Sequence, residues 1–193
     1  MSNKLKRKSP SKDNQKQSIL DRDLKLAKDC YSEVFASMQL ICLTVLYSAE
    51  EDGGFDFSEK RMKNFHEFFV KHNQENIDRL LCLNEKEESY KRCGFDCERL
   101  AEKFPYRAKI KMYGKPVKSL RDNEIFLASV NAAIESYLIL AIYTLRKHYY
   151  FTWAMIRHWW KSCLDIADLY ARGMTDDFVM QFIKDECNLV IVK

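Results

Sequence analysis

The chain has 193 residues, 47% of them hydrophobic, with five Gly and three Pro. That length fits one domain or two small ones, and so few turn residues exclude a sandwich or barrel of many short strands. The net charge of +4 is uneven: residues 1–28 hold nine Lys or Arg against three Asp, so the remainder sums to −2 and the positive charge lies in an N-terminal arm.

Residues 1–18 carry only Met1 and Leu5 as large apolar side chains. They cannot bury enough surface to offset ordering entropy and are expected to be a disordered basic arm. No apolar run follows the early lysines, so no secretory signal is read. Residues 19–193 are expected to form a single helical domain. Apolar residues at Leu24, Ala27, Tyr31, Val34, Phe35, Met38, Ile41, Cys42, Val45 and Leu46 have helical spacing, which predicts a first helix over about 20–50. Gly53-Gly54 stops it.

Ser58 reads as the N-cap of a second helix carrying Met62, Phe65, Phe68 and Phe69. A polar break at 72–74 precedes a third helix with Ile77, Leu80, Leu81 and Leu83. Cys93-Gly94 reads as a helix end, and 96–104 as a short further helix. Ala108, Ile110 and Met112 then alternate with Arg107, Lys109 and Lys111, a strand period. With the turn at Tyr113-Gly114, a small β-hairpin is expected near 106–117.

Ser119-x-x-Asp122 resembles a capping box ahead of a long apolar helix running to about Lys147. Glu135, Asn131, Ser129 and Ser136 interrupt its apolar stretch. A bilayer span needs about 20 mostly apolar residues, so a buried core helix is expected, with Ile134, Leu138 and Ile142 inward. Thr152 starts a further helix that Gly173 ends, and Thr175 caps a last helix over 176–187. The tail Leu189-Val190-Ile191-Val192 is expected to pair with the 107–112 strand.

The two halves look alike. At an offset of 96, Val34/Val130, Ala36/Ala132, Tyr47/Tyr143 and Phe55/Phe151 are identical. Repeats over 24–95 and 120–190 are one reading of this; two amphipathic helices that align by chance are the other. The expected fold is therefore all-α, a compact multi-helix bundle with or without an internal duplication.

The runs LYARGMTDDFVMQFIKDECNLVI and GFDFSEKRMKNF resemble small uncharacterised helical proteins of Firmicutes phages and prophages. Those have a long helix, a Phe-Gly-Phe-like turn, an Arg-centred second helix and a short acidic last helix. The likeness covers about half the chain, its motifs are not specific, and the second copy, Tyr150-Phe151-Thr152-Trp153, lacks the glycine. It implies a mobile-element accessory protein and no chemistry.

The sharpest chemical feature is the segment 103–121. Lys103, Arg107, Lys109, Lys111, Lys115, Lys118 and Arg121 stand there without one acid, interleaved with Phe104, Tyr106 and Tyr113. Cations neutralise phosphates and aromatic faces stack bases, so these residues form a candidate nucleic-acid or partner site. A solvated edge strand guarded by lysines is the alternative. The arm adds Lys4, Lys6, Arg7, Lys8, Lys12 and Lys16, a nucleic-acid contact or a solubilising tail. Trp159 and Trp160 point about 100° apart on a helix, so one of them is expected to be less than fully buried; Trp159 is the candidate anchor for a protein partner.

Seven cysteines without a Cys-x-x-Cys pair read as reduced, mostly buried thiols of a cytosolic protein. The four histidines have no metal-site spacing, and no nucleophile elbow, Walker loop or dinucleotide turn occurs. The reading is a non-enzymatic cytoplasmic protein that binds a nucleic acid or nucleoprotein complex, with no cofactor, metal, membrane or small-molecule substrate. A protein–protein adaptor or homodimer is the second class, and an enzyme of unrecognised type the third.

Overall fold

A computed structural model describes residues 12–74, 91–95, 111–112, 115–116 and 119–187. These are mostly helical. Among the described residues, five helices carry the fold: α1 (Lys12–Tyr47), α2 (Glu59–Gln74), α3 (Leu120–Tyr149), α4 (Trp153–Ala171) and α5 (Asp176–Cys187). A further helical turn covers 91–93 and ends at Gly94, φ 62°.

The first helix starts earlier than the composition predicts. Residues 12–18 are helical rather than disordered. Propagating an existing helix costs far less than nucleating one, and Gln17 donates to Asp21 one turn on. Residues 72–74, read as a polar break, are still helical and form the last described residues of α2.

The hairpin expected over 106–117 is not borne out. The described residues there show one antiparallel pairing of two-residue strands, Lys111 opposite Pro116 and Met112 opposite Lys115. The expected helices at 77–83 and 96–104, and the pairing of 189–192 with 107–112, lie outside the described residues.

α1 is the central element, packed by α2, α3, α4 and α5. Leu40, Ile41, Cys42, Leu43, Val45 and Leu46 are buried in succession. A helix apolar on every side needs cover on every side, and the four other helices supply it. Ile134, Leu138 and Ile142 of α3 are buried as their spacing predicts. The buried hydroxyls of Thr44 and Thr144 donate to the carbonyls of Leu40 and Leu140 one turn back, so neither is left unpaired.

α1 and α3 run parallel. Arg22 pairs with Asp122 near their N-terminal ends, and Phe35 meets Tyr137 further along, ring centroids 5.2 Å apart. At their C-terminal ends the same closure occurs twice: Phe57 N–H donates to the Leu46 carbonyl, and Phe151 N–H to the Leu145 carbonyl. Phe55 and Phe151 then touch, centroids 4.8 Å apart. The second helices cross over, so that α2 lies against α3 and α4 lies against α1.

The loop after α1 is the longer one and depends on Gly54. A Cβ there would lie 2.0 Å from the Ser48 carbonyl oxygen. That close approach lets Asp56 N–H donate to the same oxygen, and it places Asp56 at φ 47°. After α3 the reversal is shorter, with Tyr150 alone in the left-handed region.

By length and apolar composition Lys16–Tyr47 and Leu120–Tyr149 could each cross a membrane, and 61% and 50% of their most apolar windows are buried within the protein.

Candidate functional site

Ser119 begins α3 as its N-cap, its hydroxyl accepting the Asp122 N–H at 3.0 Å. This places Arg121 and Asp122 on the first turn, level with Arg22 and Asp23 of α1. Four charges then interlock. Arg22 Nη2 donates to Asp23 Oδ1 at 2.8 Å and to Asp122 Oδ1 at 2.9 Å, and Arg121 Nη2 pairs with Asp23 Oδ2. Both carboxylates are buried while Arg121 remains exposed. Burial pushes the Asp23 carboxyl up, but the Arg22 hydrogen bond and the charges of Arg121 and Arg22 outweigh it and hold it below the ordinary value.

Around this cluster the surface is mixed. Lys16, Lys25 and Lys28 are exposed. So are Ile19, Leu20, Leu24 and, most fully, Leu120. Because α1 and α3 are parallel, their positive helix ends face the same way, which favours an anionic ligand. α1 projects past the start of α3 by roughly 13 Å, at 1.5 Å per residue.

The sequence-predicted site residues divide. Arg121 is at this end, held by Asp23. Lys111 and Lys115 are in the two short strands. Lys103, Tyr106, Arg107, Lys109, Tyr113, Lys118 and the arm's Lys6, Arg7 and Lys8 lie outside the described residues.

Trp159 is a correction: it is fully buried, and Trp160 is 6% exposed. α4 packs on α1 with Trp159 inward, while Phe95 covers Trp160 edge-on at 4.9 Å. Two directions 100° apart are therefore both lined by protein, and neither indole is free to anchor a partner. The Trp159 Nε1 and Tyr137 hydroxyl instead lie in the core beside the Cys42 thiol.

Structure also brings together groups that the sequence keeps apart. His72 of α2 and His148 of α3 have their Nε2 atoms 2.9 Å apart. Phe68 stacks on His148 at 3.9 Å and Tyr143 meets His72 edge-on at 5.0 Å. Gln39 Nε2 lies 2.7 Å from His66 Nδ1. Separations of 76 and 27 residues gave no sequence signal for either pair. Among the described residues no three His, Cys, Asp or Glu side chains gather to hold a metal ion.

At the far end of α1 a cleft of about 570 Å³ is lined by Tyr47, Asp56, Phe57, Glu59, Phe182 and Glu186 among others. Glu59 is paired with Lys63, and Glu186 accepts the Tyr47 hydroxyl at 3.1 Å.

No family model, curated protein or solved structure matches this chain.

Proposed function

We propose that this chain is a non-enzymatic accessory protein of a phage or other mobile element that acts in the host cytoplasm. It docks on a nucleic acid or a nucleoprotein complex through its basic segments. One observation carries the reading: α1 and α3 run parallel. The arm that leads into α1, with Lys4, Lys6, Arg7, Lys8, Lys12 and Lys16, and the segment 103–121 that leads into α3 therefore reach the body at the same end. Antiparallel helices would have set these two cationic stretches at opposite ends. Two cationic stretches that join an otherwise acidic body at one end fit the electrostatic footprint of a phosphate-binding protein. Both a counter-defence protein that blocks a host nuclease complex and a replication or transcription accessory fit this description.

Exposed Leu20, Leu24 and Leu120 beside the cations favour a second component, an apolar contact with a protein at the same end. A nucleoprotein partner supplies both surfaces.

Fluorescence anisotropy with labelled duplex and single-stranded DNA and RNA at low salt tests the reading. Binding at least as tight as ordinary non-specific contact, about 10⁻⁴ M or better, is expected. No binding at that level to any of the four probes overturns direct nucleic-acid docking and leaves the protein contact.

A further inference from the structure

From Ser136 to Leu164 the chain holds no Asp or Glu, yet it carries Arg146, Lys147, Arg157 and Lys161. The fold gathers two of these, together with Arg92 from the helical turn at 91–93, where α3 ends and α4 begins. The Arg146 guanidinium carbon lies 4.2 Å from the centroid of the Trp153 ring, and that of Arg92 lies 5.6 Å from the same ring. Arg157, one turn beyond Trp153 on α4, donates from Nη1 to the Arg92 carbonyl at 3.3 Å. Burial raises the Cys93 thiol, while the charges of Arg157 and Arg92 both pull it back down. The three guanidiniums therefore share one neighbourhood, roughly 37 Å along α3 from Arg121 at 1.5 Å per residue.

A guanidinium that stacks by its face keeps its N–H donors in its own plane, directed past the edge of the ring. Arg92 and Arg157 are exposed, and Arg146 and Trp153 are half-buried, so the cluster opens to solvent. With guanidiniums over the indole, little of the ring is left for a base to stack on, and planar forks are the chemistry on offer. Such forks pair with carboxylates and phosphates. A carboxylate brings one charge and two oxygens. A phosphate monoester brings about −1.5 to −2 charges and three acceptor oxygens, enough to engage more than one fork at once. The positive end of α4 lies here too: Trp153 opens that helix, and the Thr152 hydroxyl accepts the Met155 N–H at 3.3 Å. The opposing negative end of α3 is offset by Arg146, Lys147 and His148 in its last turn.

We propose that Arg92, Arg146 and Arg157, set around Trp153, bind a phosphate monoester, carried either by the end of a nucleic acid or by a free nucleotide. Arg146, laid flat on the indole, presents a fork of fixed direction, and the bond from Arg157 to the Arg92 carbonyl holds the segment 91–95 against α4 so that the other two forks stand beside it. The site is separate from the basic segments that lead into α1 and α3, and it stands or falls without them.

The test titrates the full chain with a nucleoside monophosphate by calorimetry. It adds, by anisotropy, a single-stranded oligonucleotide that ends in either a phosphate or a hydroxyl and is labelled at its other end. The phosphorylated end is expected to bind about tenfold more tightly than the hydroxyl end, the size of a charge-assisted hydrogen bond. Arg146→Ala and Arg157→Ala should each remove most of that preference and most of the mononucleotide binding. Arg146→Lys should restore only part, because an ammonium keeps the charge without the planar fork. Lys147→Ala, which removes a neighbouring charge, should leave the preference unchanged, and circular dichroism checks that each variant retains its helix content. A mononucleotide bound at least as tightly as the phosphorylated oligonucleotide assigns the site to free nucleotides, and a clear advantage of the oligonucleotide assigns it to a nucleic-acid end. Equal binding of the two oligonucleotide ends with no mononucleotide binding would overturn the proposal, and so would a preference that survives both alanine variants.

Discussion

The Nε2 atoms of His72 and His148 lie 2.9 Å apart across the α2–α3 contact. One proton shared between two neutral rings satisfies that distance; two protons set like charges against each other. Burial, with the neighbouring charges of Lys147 and Lys71, pulls the His148 value down, and burial also lowers His66 despite the nearby Glu67. A histidine whose value is depressed by folding takes up its proton more readily in the unfolded chain, so its stabilisation is complete above the unfolded value near 6.5 and is lost as pH falls through the folded one. Thermal melts should therefore show stability rising with pH from about 5 to 7. His148→Phe should flatten part of that rise. A melting temperature independent of pH over this window would contradict the assignment of a neutral pair.

The Arg22–Asp122 bridge joins residues 100 apart in sequence, with the Asp122 side chain almost fully buried. In a double-mutant cycle with Arg22→Ala and Asp122→Ala, the two changes should be coupled by about 0.5–3 kcal/mol, as contacting charged residues are. Purely additive effects would show that the parallel pairing of α1 and α3 does not depend on this contact.

Leu138 is 3% exposed on the inner face of α3. Leu138→Ala should cost about 2–5 kcal/mol of unfolding free energy, by lost transfer and a residual cavity. Denaturant titration measures this. A loss under about 0.5 kcal/mol would place that face of α3 against solvent or another molecule.

Cys42 and Cys163 are fully buried, and burial pushes the Cys42 thiol up to about 12 and raises Cys163 well above its ordinary value. Since the thiolate is the reactive form, both should resist a thiol reagent at neutral pH in the native protein and react after denaturation. Mass-spectrometric mapping of labelled cysteines checks this; rapid native labelling of Cys42 would mean that the core opens far more often than its packing implies.

Much of the helical framework was legible because its signals are local. Ser119, Thr152 and Thr175 mark helix starts, Gly173 adopts φ 116° after α4, and the 3–4 spacing of Ile134, Leu138 and Ile142 gave the buried face of α3. Relations between helices were not legible. Periodicity says that α1 buries a face, but not that α3 lies beside it in the same direction or that α2 crosses to the other half. The likeness of the halves was visible, yet no single offset aligns them throughout, because the loop after α1 is longer than the loop after α3 and shifts the second helices against the first. Trp159 was misjudged for a related reason: the angle between neighbouring side chains on a helix is a local quantity, whereas their cover by Phe95 and α1 is not. For the candidate site the sequence supplied the charges, and the parallel α1–α3 pair supplied their common end.

The most direct test of docking through the basic segment is the salt dependence of duplex binding by the wild-type protein and by Lys109→Ala/Lys111→Ala. Lys109 and Lys111 belong to a run of seven cations between 103 and 121 that holds no acid, and each lysine removed takes away one candidate phosphate contact. The account predicts weaker binding on every sequence alike and a log–log slope reduced by about 1–2. An unchanged slope and affinity would contradict it.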